Sequence, residues 1–277
     1  MPILTPRQLE LSLVEIKRRR LLRQQATSSN SINSSQKREA AILVPLCTVQ
    51  GTPSVLFTRR SSQLSTHASE ISFPGGNYDE ALDSSGGWEN KLINTALREM
   101  QEELLYEIDQ IGLDVHANYY HEDDDDNYNR SYSNRQRNKL PLVTVLGQTQ
   151  PVPSLHGTKV TPFVGAINYD LPPCTSSEFS ALFPGNPEEV DYIFTVPLGH
   201  LISNETSEPL QRWGAKFSDD TYSARSRPES LGPVFHIPDR DKKRDGDKIW
   251  GFTAIVMRSL LRKVFRPVFG DSGSHVG

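Results

Sequence analysis

Apolar and polar positions follow two different periods along the chain. Residues 40–46 read Ala-Ala-Ile-Leu-Val-Pro-Leu, a short continuous apolar run that predicts a buried strand. Val55-Leu56-Phe57-Thr58 predicts its hairpin partner across Gly51-Thr52-Pro53. Over residues 92–111 the period lengthens. Ala96, Met100, Leu104, Ile108 and Ile111 fall on one side of a predicted helix. Strand-like runs return at 142–146, 160–167 and 190–196, and a short helix is expected from Pro197 to Leu201. After Glu205 the chain is polar and turn-rich apart from Pro233-Val234-Phe235-His236-Ile237. Residues 251–264 are dense in apolar side chains with Arg and Lys near the end, which predicts a terminal helix. Trp250, Phe252, Ile255 and Val256 are expected to pack that helix onto the sheet. Strands, one acidic helix, more strands and a last helix imply an α+β fold with a mixed sheet between helices.

The flanks differ in character. Leu9, Leu13 and Ile16 share a helical face ahead of Lys17-Arg18-Arg19-Arg20 and Arg23, so residues 9–25 predict a basic amphipathic helix. Ser and Asn dominate 28–35, a linker composition. The expected organisation is therefore an N-terminal segment 1–39, a principal domain 40–265 and a tail 266–277. Within the domain, residues 115–139 form an acidic insertion centred on His121-Glu122-Asp123-Asp124-Asp125-Asp126-Asn127. It lacks the Gly and terminal Glu of a calcium loop and is read as a solvated loop.

Composition narrows the function classes. Lys and Arg number 30 against 34 Asp and Glu, a net charge of −4, which excludes a generally basic nucleic-acid-coating protein. With 8% aromatic and 36% hydrophobic residues the chain is not disordered throughout. No apolar run approaches the ~18 residues of a membrane span. Cys47 and Cys174 cannot build a disulfide framework, and no neighbouring His or Asp marks either as catalytic, so both are read as free thiols in a reducing compartment, with a single bridge between them as the alternative.

The chemistry concentrates in Arg98-Glu99-Met100-Gln101-Glu102-Glu103. On a helix, Glu99, Glu102 and Glu103 stand at i, i+3 and i+4 and share one face within about one turn. Three carboxylates that close repel one another. Arg98 reaches Glu102 at i+4 but neutralises one charge, whereas a hard divalent ion with oxygen ligands relieves more. Ahead of the helix stands Ile71-Ser72-Phe73-Pro74-Gly75-Gly76, a turn whose glycines allow backbone to approach the helix and a phosphorylated ligand closely.

Gly75-Gly76 followed by Arg98-Glu99-Met100-Gln101-Glu102-Glu103 resembles the Nudix box, G-x5-E-x7-R-E-U-x-E-E-x-G-U with U aliphatic. Leu56-Phe57-Thr58-Arg59-Arg60-Ser61 and the segment His67 to Gly76 resemble the stretch that precedes the box in coenzyme A-hydrolysing Nudix proteins. The segments from Ala40 to Cys47, Glu188-Glu189-Val190-Asp191 and Trp250-Gly251-Phe252-Thr253-Ala254 are similar to the mitochondrial Nudix type 8 subgroup, and Gly157 to Gly165 resembles the family more generally. The resemblance implies an α/β/α sandwich and hydrolysis of the diphosphate of coenzyme A or acyl-coenzyme A to 3′,5′-ADP and (acyl-)4′-phosphopantetheine. It implies Mg²⁺ or Mn²⁺ held by Glu99, Glu102 and Glu103, with Glu99 or Glu189 as general base. Arg59, Arg60 and His67 become candidates for substrate phosphates, with Gly75 and Gly76 beside them. Arg59 and Arg60 point oppositely on an extended segment, so at most one faces the site. Other nucleoside diphosphate derivatives such as ADP-ribose or NADH, or nucleotide binding without turnover, stay open as alternatives. The expected partner is a small molecule rather than nucleic acid, and the basic N-terminus with the subgroup likeness implies a mitochondrial or cytoplasmic protein.

The chain departs from the family pattern in five places. Twenty-one residues separate Gly76 from Arg98 where the pattern has thirteen. Counting back from Arg98, the acidic box position falls on Asn90, and Asp79, Asp83 or Glu89 is available to replace it. Leu105 stands where the pattern has the helix-ending Gly, which predicts a helix running on towards Gly112. Upstream, Ser65 replaces an Arg and Ser69 a Gly.

Overall fold

The computed structural model describes residues 38–84, 90–105, 118–119, 142–154, 157–209, 231–237 and 247–266. The predicted helix 9–25, its linker, Glu89, the acidic insertion apart from Asn118 and Tyr119, and the tail beyond Arg266 lie outside the described residues.

The apolar run 40–46 becomes the centre of β1 (Glu39–Val49), which turns into β2 (Thr52–Arg60). The turn is Gln50-Gly51, both left-handed at φ 48° and 74°, so Thr52 and Pro53 already belong to the strand. A two-residue turn with both central residues at positive φ matches the twist of the strands it joins. Then follow β3 (Ile71–Ser72), β4 (Gly75–Asn77), a one-turn helix α1 (Glu80–Asp83) and the long helix α2 (Lys91–Leu104). The chain continues through β5 (Asn118–Tyr119), β6 (Val143–Gln148), β7 (Val152–Pro153), β8 (Lys159–Leu171), α3 (Ser177–Leu182), β9 (Val190–Pro197) and α4 (Leu198–Ser203). It closes with β10 (Glu205–Pro209), β11 (Leu231–His236), β12 (Lys248–Ile249) and α5 (Gly251–Leu260), which runs on as a π-helical turn, Leu261–Phe265.

The principal sheet has the order β3-β2-β1-β8-β6-β5, with β9 also on β2, β4 on β1 and β7 on β8. β1–β8 and β5–β6 run parallel and the remaining pairs antiparallel, so the sheet is mixed. β10, β11 and β12 form a small antiparallel sheet. One face of the principal sheet is covered by Ile93, Ala96, Met100 and Leu104 of α2 with Phe179 of α3. The other face packs against Leu198 and Leu201 of α4, Ala254, Val256, Met257 and Leu260 of α5, and Phe235 and Ile249 of the small sheet. This is the α+β sandwich that the sequence implies. Along one edge β1 pairs first with β4 (residues 40–42) and then with β2 (residues 46–49). Pro45 occupies the splay between them, where a missing N–H breaks no ladder. The splay admits Pro74, whose carbonyl accepts the Leu43 N–H at 2.9 Å, and so seats the glycine bend beside α2.

Two sequence expectations are corrected. α2 stops at Leu104, short of Gly112. The Glu103 and Leu104 carbonyls accept the Asn186 and Gly185 N–H groups at 3.0 and 3.2 Å, and Leu105 is buried in the core instead of extending the helix. In α5, Val256 is buried but Ile255 is 39% exposed, because Thr253, Ala254, Val256 and Met257 already fill the inward face. Cys47 is a fully buried free thiol, and burial pushes it well above the ordinary thiol range.

Candidate active site

A cavity of about 350 Å³ opens between the glycine bend and α2. Its wall includes Arg60 from the end of β2, Gly75 and Gly76 from β4, Arg98, Glu99 and Glu103 from α2, and Glu189 just before β9. Tyr78, Asp79 and Leu82, around α1, complete one side.

The glycines are required by the closeness of α2. A Cβ on Gly76 would lie 2.3 Å from Glu99 Oε1, and one on Gly75 would lie 2.4 Å from the Ala41 carbonyl oxygen. The Gly75 N–H donates to Glu103 Oε1 at 3.3 Å, so backbone meets carboxylate directly.

Arg98 organises the acidic helix. Its Nε donates to Asp83 Oδ1 at 2.8 Å and an Nη to Asp83 Oδ2 at 3.2 Å, a two-pronged ion pair. The other terminal nitrogen lies 3.0 Å from Glu99 Oε1 and 2.9 Å from Glu102 Oε2. Asp83 is buried and also accepts the Thr95 hydroxyl and the Asp79 N–H at 2.8 and 2.9 Å. Burial alone would raise its carboxyl, but these hydrogen bonds and the Arg98 charge hold it below the usual range. The Asp83 bond and the surrounding carboxylates push the Arg98 guanidinium further up. Of the two described candidates for the acidic box position, Asp79 and Asp83, it is Asp83 that Arg98 binds, while Asn90 caps α2 by accepting the Leu92 N–H at 3.2 Å. Counting back from Arg98 misses Asp83, because the added residues fall between it and Arg98. Counting forward from Gly76 comes within one residue of the box spacing.

The three box carboxylates have unequal environments. Glu103 is 2% exposed. Its carboxyl is pushed up to about 8 by burial, opposed by the Gly75 N–H and Arg60 and reinforced by Glu99 and Glu189. Glu99 is also raised, first by burial and then by Glu102 and Glu189, against the pull of Arg98. Glu102 is 49% exposed, stands outside the cavity wall and is held by Arg98. Among the described residues no three His, Cys, Asp or Glu side chains form a ready-made metal cage. The donor set still fits a small hard cation. Glu99, Glu103 and Glu189 offer only carboxylate oxygens, burial and neighbouring carboxylates raise the proton affinity of Glu99 and Glu103, and Mg²⁺ takes one or two carboxylates while keeping water and phosphate in its shell.

Asn186 joins the two acidic elements. Its N–H donates to the Glu103 carbonyl at 3.0 Å, and its side-chain Nδ2 reaches Glu189 Oε1 at 3.4 Å. The Ser61 N–H in turn donates to the Glu189 carbonyl at 2.8 Å, fixing the strand-borne glutamate against β2.

The basic candidates separate. Arg60 lines the cavity, and its Nε is buried with no hydrogen-bond partner among the described residues. A buried donor left open in a cavity suits an anionic ligand. Arg59 turns away from it, donating to Asp247 and, at 3.4 Å, to the Tyr192 hydroxyl, which itself donates to Asp247. His67 pairs with Glu70 at 2.9 Å on the loop after β2 and is not part of the cavity wall.

No family model matches the sequence. The chain is 31% identical over 238 residues to the mitochondrial coenzyme A diphosphatase NUDT8 of Mus musculus, covering 85% of this chain and 81% of the relative. It is 28% identical over 231 residues to the uncharacterized Nudix hydrolase NudL of Yersinia pestis (strain Pestoides F), covering 83% and 82% of the two chains. Among solved structures it is similar to a Nudix hydrolase from M. smegmatis, RenU, at 16% identity and a TM-score of 0.34, covering 62% of this chain and 78% of that one.

Proposed function

Because this chain belongs to the Nudix hydrolase family, we propose that it hydrolyses the diphosphate of coenzyme A or acyl-coenzyme A, giving 3′,5′-ADP and (acyl-)4′-phosphopantetheine. The observation that carries the reading is the single cavity wall on which Glu99, Glu103 and Glu189 meet the open Arg60 donor beside Gly75-Gly76. The coenzyme A relative and the likeness of the segment before the box support the choice of substrate.

Glu99 and Glu103, with Glu102 at the rim, are the residues to hold Mg²⁺ or Mn²⁺, which supplies charge neutralisation at the diphosphate and acidifies water. Arg60 binds a diphosphate oxygen through its unsatisfied Nε–H. Gly75 and Gly76 leave room for the diphosphate against α2. Arg98, fixed by Asp83, orients Glu99 and Glu102. Glu189 is the general base: Arg98 occupies Glu99, whereas among the described residues Glu189's carboxylate accepts only a long bond from Asn186 and keeps lone pairs for a water proton. Water adds its oxygen to one phosphorus, the bridging P–O bond breaks, and the bridging oxygen leaves with the other phosphate. Arg59 holds β2 to the Asp247 segment and so keeps the neighbouring Arg60 in place, and His67 braces the loop after β2.

The test is product analysis. Pure protein with Mn²⁺ is incubated separately with coenzyme A, ADP-ribose and NADH. Release of 3′,5′-ADP from coenzyme A is expected. Cleavage of ADP-ribose or NADH alone, or binding of coenzyme A without product, overturns the reading.

A further inference from the structure

The α1 side of the cavity has a chemistry that the diphosphate does not use. Leu82 and Tyr78 line it, whereas the rest of the wall is glycine, asparagine and charged residues. Leu82 is 58% exposed, on a helix of one turn whose other residues are Glu80, Ala81 and Asp83. An exposed leucine on a surface is ordinary. This one is held at a cavity wall by a segment tied at both ends. The Tyr78 N–H donates to the Glu39 carbonyl at 3.0 Å, and Arg98 donates to the Asn77 carbonyl at 3.3 Å. Asp79 caps the Ala81 N–H at 2.8 Å, and Asp83 is locked into its buried pair with Arg98. Leu82 therefore cannot retreat into the core without breaking the anchor of the acidic helix.

Charge selects what lies against it. Asp79 stands in the same wall and Glu80 follows, and the cation on this side, Arg98, is already paired with Asp83, Glu99 and Glu102, so this side of the cavity is net anionic, while Arg60 provides positive charge at the β2 side. On the reading above, the substrate diphosphate carries two arms. One is a phosphorylated nucleoside, bearing two more negative charges; the other is an uncharged amide chain ending in a thiol or an acyl thioester. The anionic side repels the first and accepts the second. We propose that Tyr78 and Leu82 receive the uncharged arm, so that α1 makes the enzyme prefer apolar acyl thioesters over free coenzyme A and over anionic acyl thioesters. This inference rests on the coenzyme A reading and adds the orientation of the substrate and the residue that selects it.

The experiment compares kcat/KM for octanoyl-coenzyme A, free coenzyme A, and the four-carbon pair butyryl- and succinyl-coenzyme A. The same titrations are followed by calorimetry on metal-free protein, where no turnover intervenes. The expected result is a preference for octanoyl over free coenzyme A and for butyryl over succinyl. In Leu82→Ala the octanoyl-to-free ratio falls about tenfold, the scale of a lost apolar pocket contact, and Leu82→Met restores it. Thermal melting confirms that the variants fold. An octanoyl-to-free ratio unchanged in Leu82→Ala, or a succinyl thioester handled as well as butyryl, overturns the inference while leaving the diphosphatase standing. Absence of 3′,5′-ADP from every thioester and from free coenzyme A sinks the underlying reading and this inference with it.

Discussion

The closest approach in the site gives the sharpest prediction. In Gly76→Ala the new Cβ would fall 2.3 Å from Glu99 Oε1, 2.4 Å from its Cδ and 2.6 Å from Oε2. Ordinary contact begins near 3.4 Å, so the Glu99 carboxylate must withdraw by about 1 Å. What moves is the end of a side chain, not backbone, so the fold survives. The displacement lands on a carboxylate already bound to Arg98 at 3.0 Å. A misplacement of ~1 Å at a catalytic group costs roughly 10²-fold, about 2.7 kcal/mol of transition-state stabilisation. Gly76→Ala is therefore expected to lose about 100-fold in kcat/KM on coenzyme A with Mn²⁺, while its melting temperature stays close to that of the parent. Gly75→Ala is the contrasting control, because its Cβ meets the Ala41 carbonyl oxygen at 2.4 Å and the Ile42 Cα at 2.7 Å, and its effect falls on stability. Full activity in a folded Gly76→Ala protein would mean that the position of Glu99 does not govern the reaction.

Asp83→Asn breaks a buried two-pronged pair while Arg98 keeps Glu99 and Glu102, at a cost of about 1–3 kcal/mol measurable by urea unfolding. Because the folded Asp83 carboxyl lies below its unfolded value of ~3.9, its contribution is complete above that pH and disappears as pH falls through the folded value. The acid limb of stability should accordingly flatten in Asp83→Asn, and an unchanged limb would remove the pair from the account. Glu189→Gln should lower kcat by roughly 10²–10⁴-fold and remove the limb of the pH–rate profile that reports the base; an unaltered profile assigns the proton elsewhere. Ser69 has φ 61° where the related pattern carries Gly, so Ser69→Gly should stabilise the protein by about 1 kcal/mol in a denaturant titration, and a loss of stability would show that the serine side chain holds the loop.

The elements that could be read from the sequence are those whose own residues decide them. β1, β8 and β9 are apolar runs, and α2 carries Ala96, Met100 and Leu104 on its buried side. The short elements β3, β4 and β12 carry no period of their own, since two or three residues become strand only because β2, β1 and β11 lie beside them. The end of α2 was hidden for a related reason, because the groups that cap it, Gly185 and Asn186, come from some eighty residues further on. At the site, Glu99 and Glu103 could be placed from helical spacing, but the same spacing could not show that Arg98 holds Glu102 outside the cavity wall. The opposite orientations of Arg59 and Arg60 follow from strand alternation. Which of them enters the cavity depends on Tyr192 and Asp247, which draw Arg59 to the other side.

Asn186 has a consequence for how this enzyme can vary. It clips the last turn of the acidic helix with its main chain and touches the strand-borne glutamate with its side chain. The two halves of the site are thus gauged against each other by one amide, across a connection of only a few residues. A single-residue insertion between Phe183 and Glu189 would throw both halves out of alignment at once. Sequence drift in this chain has almost no room at that connection.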